Sequence, residues 1–352
     1  MNRHVKKVFT IFKYPKKDVK RVCEEIEKYK KSSYIVFYNP ECVGITNATQ
    51  EILKNTISLN ELFNEKAIED ISQAIVENNI KQVIFATQAH GYKTLSEKIK
   101  EKNQNMIIKF MWHGSHSLFV NRDEEHFLES ILDLEKRGIV TSIGFLKESM
   151  AKFYSLKGYR SCFVMNTVNS IKSKKMRKGK NDKSIRVGIY SSGDRWEKNT
   201  YNQLSACSIV SPDLIVDSVP ATPLFKSYCK LMNIKCSEES NTGSVLREEL
   251  IERMSKNTVN LYVTFTECAP MVPLESLESG VPCIVGDNNH YFTDTELEKY
   301  LVVKSEDSID EIAEKMKLCI EHRDEILKLY KEWKKEYDVK SKKSVEEFLK
   351  MK

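Results

Sequence analysis

The sequence predicts an α/β fold of two parallel sheets, each with helices packed on both faces. Two observations carry that expectation. Short apolar runs bounded by polar turns alternate with segments whose apolar residues recur at helical spacing, the pattern of repeated strand–helix–strand units. The alternation then stops once, near the middle of the chain, and resumes. A length of 352 residues is right for two domains of ordinary size.

The first half reads as follows. Residues 8–11 are strand-like, and residues 18–30 place Val19, Val22, Cys23, Ile26 and Tyr29 on one helical stripe. The run 34–38 is a strand, 68–78 a helix, 83–86 a strand and 106–112 a long apolar strand. Residues 127–134 are helical, and 141–146 and 162–165 are the last strands of this half. Residues 170–184 contain two apolar residues in fifteen, cannot bury themselves, and read as a linker. Strands are expected afterwards at 185–190, 214–219, 259–264 and 282–285, and helices at 199–209, 224–232, 244–255 and 273–279. A long helical region over 308–333 contains a candidate break at Glu321-His322.

Composition narrows the function classes. With 41% hydrophobic and 30% charged residues, collagen-like, disordered and disulfide-scaffold chains are excluded. The net charge of +6 is matched by residues 172–183 alone, which hold seven basic residues against Asp182. Basicity concentrated in one segment is not that of a dedicated nucleic-acid binder, so no nucleic-acid partner is expected. That segment is either a solvated linker or one that touches an anionic membrane surface. No apolar run approaches the roughly 18 residues of a spanning helix, and the basic N-terminus is read as neither signal peptide nor anchor. The nine cysteines are odd in number, scattered and without a Cys-x-x-Cys pair. The expectation is a reduced cytoplasmic protein, with or without peripheral contact at the inner membrane face.

In doubly wound folds, ligands sit beyond the carboxyl ends of the strands where strand order reverses, and with two sheets the expected site is the cleft between them. Polar residues just after predicted strands are therefore the candidates. The most informative run is Thr264-Phe-Thr-Glu267-Cys-Ala-Pro-Met-Val-Pro-Leu-Glu275-Ser-Leu-Glu-Ser-Gly280-Val-Pro282. A strand ends, a carboxylate appears, and a helix is expected to begin near Pro273, with Glu275 about two residues into it. A helix start offers N–H groups to an anion, and two carboxylates eight positions apart can address two parts of one polar ligand. Each glutamate can instead be a helix-start acid favoured by the dipole.

This run resembles the Glu-x7-Glu signature of retaining glycosyltransferases with the GT-B architecture, glycosyltransferase family 4 being the nearest group. The resemblance implies two Rossmann-like domains facing across a cleft: residues 1–169 on the acceptor side, the basic linker 170–184, and residues 185–335 holding a nucleotide-sugar donor. It implies for residues 336–352 a C-terminal tail or helix that packs back on the first domain. By the same resemblance Glu275 holds the ribose hydroxyls and Glu267 the donor sugar. The backbone around Cys268, Ala269, Met271 and Val272 faces sugar and phosphate oxygens. Ionised carboxylates suit sugar diols, and a departing diphosphate calls for N–H donors and cations.

The cations are expected in Ile185-Arg-Val-Gly-Ile-Tyr-Ser-Ser-Gly-Asp-Arg195-Trp-Glu-Lys198. There a turn carrying Ser192 and Gly193 leads to Arg195 and Lys198, similar to the family's diphosphate-gripping basic pair. The alternative is a solvated surface turn. His113, directly after the strand ending Met111-Trp112, matches a family histidine that touches the donor sugar, the alternative being a structural histidine; His116 is either its neighbour or simply a loop residue. The nucleobase is expected near residues 239–244. The chain departs from the family where glycines are usual, reading Phe12-Lys-Tyr-Pro15 and Cys268-Ala-Pro270 instead.

Taken together, the resemblance implies sugar transfer from a nucleotide-sugar to a hydroxyl of a glycan or lipid-linked acceptor, with retention, no cofactor and no metal. Trp112-His113-Gly114 is also similar to polymerases of teichoic acids, which leaves open a CDP-polyol-type phosphotransferase. A non-catalytic partner subunit that binds a nucleotide-sugar or glycan is the third reading.

Overall fold

The computed structural model describes residues 16–62, 64–171, 184–190, 194–240 and 243–352. The expected strand at 8–11, the Phe12–Pro15 departure, most of the basic linker, and Ser192 and Gly193 lie outside the described residues. Two compact units divide the chain. The first comprises Met1–Asn166 with Lys340–Lys352, and the second Thr167–Val339.

The first unit contains α1 (Lys16–Lys28), β1 (Ile35–Tyr38), α2 (Val43–Ile52), β2 (Thr56–Ser58), α3 (Glu65–Glu77), β3 (Gln82–Phe85) and α4 (Tyr92–Lys102). These are followed by β4 (Ile107–Trp112), α5 (Arg122–Lys136), β5 (Ser142–Phe145), α6 (Glu148–Leu156) and β6 (Ser161–Phe163). Its strands form one sheet in the order β2-β1-β3-β4-β5-β6, parallel throughout. Both faces are covered, so the central strands are apolar without alternation: β3 and β5 are buried at every position. Stripes from α1 (Val19, Val22, Ile26), α3 (Ile68, Ile71, Ile75) and α4 (Leu95, Ile99) close the core over Phe37, Phe85 and Phe110. The short helix at 116–120 and α5 share Asn121, whose side chain accepts from the Asp123 amide.

The second unit repeats the plan with β7 (Arg186–Ile189), α7 (Thr200–Val210), β8 (Ile215–Ser218), α8 (Pro223–Leu231), β9 (Lys235–Cys236) and α9 (Arg247–Ser255). Then come β10 (Val259–Tyr262), α10 (Met271–Glu278), β11 (Cys283–Gly286), α11 (Glu298–Leu301), β12 (Val302–Val303) and α12 (Ile309–Glu321). Its sheet runs β12-β11-β10-β7-β8-β9, again parallel. The chain builds outward from β7 to β9 and then returns to start β10 on the other side of β7. Strand order therefore reverses between β7 and β10, where Val187, Gly188 and Ile189 pair with Val259, Asn260 and Leu261.

A final helix, α13 (Arg323–Lys350), follows α12 after a break at His322, the place the sequence marks. Its last residues belong to the first unit. Phe348 is fully buried and lies where a side chain on Gly144 would be, 3.0 Å from an added Cβ, so β5 needs a glycine there. Lys109, in the middle of apolar β4, is fully buried and donates to the carbonyls of Phe348 and Leu349. A cation at a helix C-terminus meets both the orphan carbonyls and the dipole. Burial nevertheless pushes the ammonium down to about 8, so the group still carries its charge at neutral pH.

Replacing Lys109 with Met should therefore release the end of α13 while sparing the sheet. Hydrogen exchange over residues 340–350 should accelerate about tenfold, the ~1.4 kcal/mol expected when charged hydrogen bonds are lost. Exchange unchanged from the parent would show that apolar packing of Phe348 alone holds the helix.

Candidate active site

The reversal between β7 and β10 is where two segments far apart in sequence meet. After β7 the chain reaches a single 3-10 turn, Trp196–Lys198, and Asn199 then takes a left-handed conformation at φ 51° to start α7. After β10 it runs through Val263–Pro270 to α10, which starts at Met271. Gln203 locks the two together: its amide donates to the Lys198 carbonyl at 2.9 Å and accepts from the Val263 amide at 3.0 Å. The Phe265 amide also donates to the Glu197 carbonyl at 2.9 Å.

This scaffold brings Lys198 and Glu267 into an ion pair. Both are largely withdrawn from water, with side chains 6% and 15% exposed. Tyr262, the last residue of β10, completes a triad. Its hydroxyl donates to Glu267 Oε1 at 3.0 Å and accepts from Lys198 Nζ at 3.2 Å. Burial first, and then the Glu267 charge, push the phenol well above its ordinary value, so it remains a donor. A pair this enclosed is stable only because each partner answers the other, since an unanswered charge there costs several kcal/mol. Arg195 is half-exposed and bound instead to Glu197, Nε to Oε1 at 3.1 Å. Trp196 and Phe265 stack beside the pair at 6.2 Å with exposed faces.

Glu275 sits deeper than the sequence suggests. Because α10 begins at Met271 rather than near Pro273, Glu275 is its fifth residue, and it is buried. It accepts from Arg247 Nε at 2.6 Å. Cys268 is buried, whereas Ala269, Met271 and Val272 are half-buried around the start of α10. In the region expected to take a nucleobase, the Glu239 carbonyl accepts from Arg253 at 2.6 Å and its carboxylate pairs with Lys256.

Beneath these loops lies a buried polar network that sequence reasoning missed. Arg253 donates to both oxygens of Asp217, at 3.1 and 2.5 Å. Tyr190 and Ser240 complete that carboxylate at 2.8 and 3.0 Å. Burial raises the Asp217 carboxyl, but Arg253, Tyr190 and Ser240 outweigh it and hold the group below the usual range. The chain of bonds continues from Asn257 to Tyr190 and to Asn260, each 2.7 Å, and from Asn260 to Ser276 on α10 at 2.7 Å. Gly188 is forced by this network, because a Cβ there would lie 2.1 Å from Asn260 Oδ1.

His113 belongs to the first unit, directly after β4. It bonds the Ala86 backbone, and its Nε2 is enclosed although the residue is only half-buried. Burial pushes the imidazole down to about 3, so it is neutral at any physiological pH. His116 is exposed, with Nε2 3.0 Å from the Tyr154 hydroxyl. Among the described residues no three His, Cys, Asp or Glu side chains cluster as a metal site would require, and no helix is long and apolar enough to cross a membrane.

The sequence matches no known family model and no curated protein sequence. Solved structures do resemble it. A UDP-forming α,α-trehalose-phosphate synthase from Burkholderia xenovorans, in complex with glucose-6-phosphate, superposes with a TM-score of 0.63 at 10% identity, covering 90% of this chain and 99% of that one. An apo structure of OtsA gives 0.57 at 12%, covering 91% and 99%. The lipopolysaccharide outer core galactosyltransferase WaaB, apo form, gives 0.55 at 13%, covering 84% and 94%. The likeness is one of fold, and the fold is that of the GT-B glycosyltransferases.

The buried imidazole makes a pH prediction. Folded His113 titrates near 3, while an unfolded imidazole titrates near 6.5. The unfolded chain thus binds the extra proton in between, and stability rises with pH through that window. Between pH 5 and 7 the residue should account for about 2 kcal/mol of that rise. Urea unfolding of His113→Gln should show a correspondingly flatter pH dependence than the parent; parallel curves would refute the burial of a neutral ring.

Proposed function

We propose that the protein is a glycosyltransferase that moves a sugar from a nucleotide-sugar donor to a hydroxyl of a glycan or lipid-linked acceptor. The observation that carries this reading is the Lys198–Glu267–Tyr262 triad at the strand-order reversal of a Rossmann-like sheet, the place where such folds bind nucleotides. Cation and carboxylate there match what the reaction needs. An ammonium has three N–H groups; Glu267 and Tyr262 take two, and a phosphate oxygen of the donor takes the third. Arg195, half-exposed on the same turn, adds charge as the diphosphate departs.

Glu267 then has a double role. It holds Lys198 in place and accepts from hydroxyls of the donor sugar, its negative charge supporting positive character on the ring as the leaving group separates. The chain's own cations meet the leaving-group charge, so the proposal includes turnover without a metal. Retention of configuration follows by same-face departure and attack. Glu275 and Arg247 act as one unit: the carboxylate reaches ribose hydroxyls when Arg247 gives way or shares it. Fold likeness to a trehalose-phosphate synthase and a galactosyltransferase supports a sugar donor. His113, neutral and enclosed, is suited to hydrogen bonding and not to proton transfer near neutral pH.

The test is a binding panel of UDP-, GDP-, CDP- and ADP-sugars followed by a nucleotide-release assay on each binder. For the best donor at saturation, Glu267→Gln should lower turnover at least tenfold, about 1.4 kcal/mol of transition-state stabilisation. Full turnover in the variant would make Glu267 a structural partner of Lys198 and defeat the proposal. Turnover of a CDP-polyol with no nucleotide-sugar accepted would identify a phosphotransferase instead.

A further inference from the structure

Away from the Lys198–Glu267 triad, the second unit has an open cavity of about 790 Å³ whose lining includes Asp213, Lys226, Cys229, Asn233 and Cys236. Its two thiols come from neighbouring elements: Cys229 from the last turns of α8 and Cys236 from β9, the edge strand that α8 leads into. Both thiols line this one cavity, near enough that each alters the other's ionisation. Cys229 is buried, while Cys236 is partly exposed.

From this juxtaposition we infer that Cys236 is a reactive thiol that peroxides oxidise, with Cys229 as the partner that resolves it to a disulfide. The surroundings fit the two roles. The adjoining Cys229 thiol and the Lys226 charge hold the Cys236 thiol down to about 6, while Cys236, together with burial, raises Cys229. A thiolate in a positive, accessible pocket is the species that attacks. The other partly exposed thiols lack this: burial raises Cys23 and Cys42, and it pushes Cys162 up to about 12.

The chemistry balances with the peroxide as the only oxidant. The Cys236 sulfur attacks the O–O bond of hydrogen peroxide, becoming a sulfenic acid as one oxygen leaves as water after taking a proton. The Cys229 sulfur then attacks the sulfenic sulfur, the second oxygen leaves as water, and the Cys229 proton is consumed in that step. Two thiols have been oxidised to one disulfide, and one peroxide reduced to two waters. The bond would tie the end of α8 to the strand that leads into Ser237 and Ser240. The Ser240 hydroxyl donates to Asp217 and accepts from the Ser218 amide, so oxidation bears on the network under the loops.

The experiment uses the full reduced chain. Lys230 and Lys235 lie between the two cysteines, so trypsin places them on separate peptides. After limited hydrogen peroxide, alkylation and digestion without reductant, mass spectrometry should find those peptides joined, two hydrogens lighter than their sum. In the absence of peroxide, iodoacetamide should label Cys236 roughly tenfold faster than Cys23, Cys42 or Cys162. Cys229→Ser, which keeps a hydroxyl donor, should retain fast labelling and yield a dimedone-trapped sulfenic acid on Cys236 with no disulfide; Cys229→Ala, used should the serine variant fold poorly, should label more slowly and still yield the trapped sulfenic acid with no disulfide. Labelling of Cys236 no faster than the other three, or peroxide treatment that leaves the two peptides unlinked, would overturn the inference.

Discussion

The geometry of the second unit depends on one charge pair buried beneath its sheet. Arg253 and Asp217 have side chains only 4% and 2% exposed, and a pair so placed is stable only while every donor and acceptor is answered. The answers come from elements that bear on the functional loops. Tyr190 follows the strand that leads to Lys198, and Ser240 follows the edge strand. Asn257 and Asn260 pass the network on to Ser276, the residue after Glu275. Arg247 opens α9 and Arg253 lies in its last turn, the first bound to Glu275 and the second fixed to the network. Because a half-satisfied network is costly, the helix that carries Glu275 has little freedom to shift along the sheet.

On that base sit the loops to which the proposed chemistry is assigned. A left-handed Asn199 and the bridging Gln203 aim the 3-10 turn at the end of β10, and Lys198 meets Glu267 there across 69 positions of sequence. The triad is charged, enclosed and placed at a strand reversal, which is the combination expected of a site rather than of a stabilising surface pair. In the first unit the same economy appears at Lys109, a buried cation whose purpose is the end of the last helix.

Much of the fold was legible because parallel strands buried on both faces are plain apolar runs. Strands at 106–112, 185–190 and 259–264 were read to within a residue or two, as was the break before α13. The omissions have physical causes. The strands β2, β9 and β12 are two or three residues long, too short for any periodicity, and α4 carries four lysines on an otherwise ordinary stripe. Helix α2 is rich in Thr, Asn and Gly, residues with weak helix preference. At the site, Lys198 and Glu267 stood out singly, each by its place after a strand. Their pairing could not, since only the strand order brings them together. Arg247, Arg253 and Asp217 were missed for the same reason, although a carboxylate within the apolar run 214–219 was a signal: a charge buried in a central strand needs a partner. Tyr262 carried no such mark.

The central claim, that a nucleotide-sugar is held at the reversal between β7 and β10, is tested most directly by hydrogen exchange. The full chain would be compared with and without saturating UDP-, GDP-, CDP- or ADP-glucose. Protection is expected to rise at residues 194–200 and 263–275 with the donor that binds, and to stay unchanged around Cys229 and Cys236. Protection confined to other segments, with those two loops exchanging as before, would contradict the account.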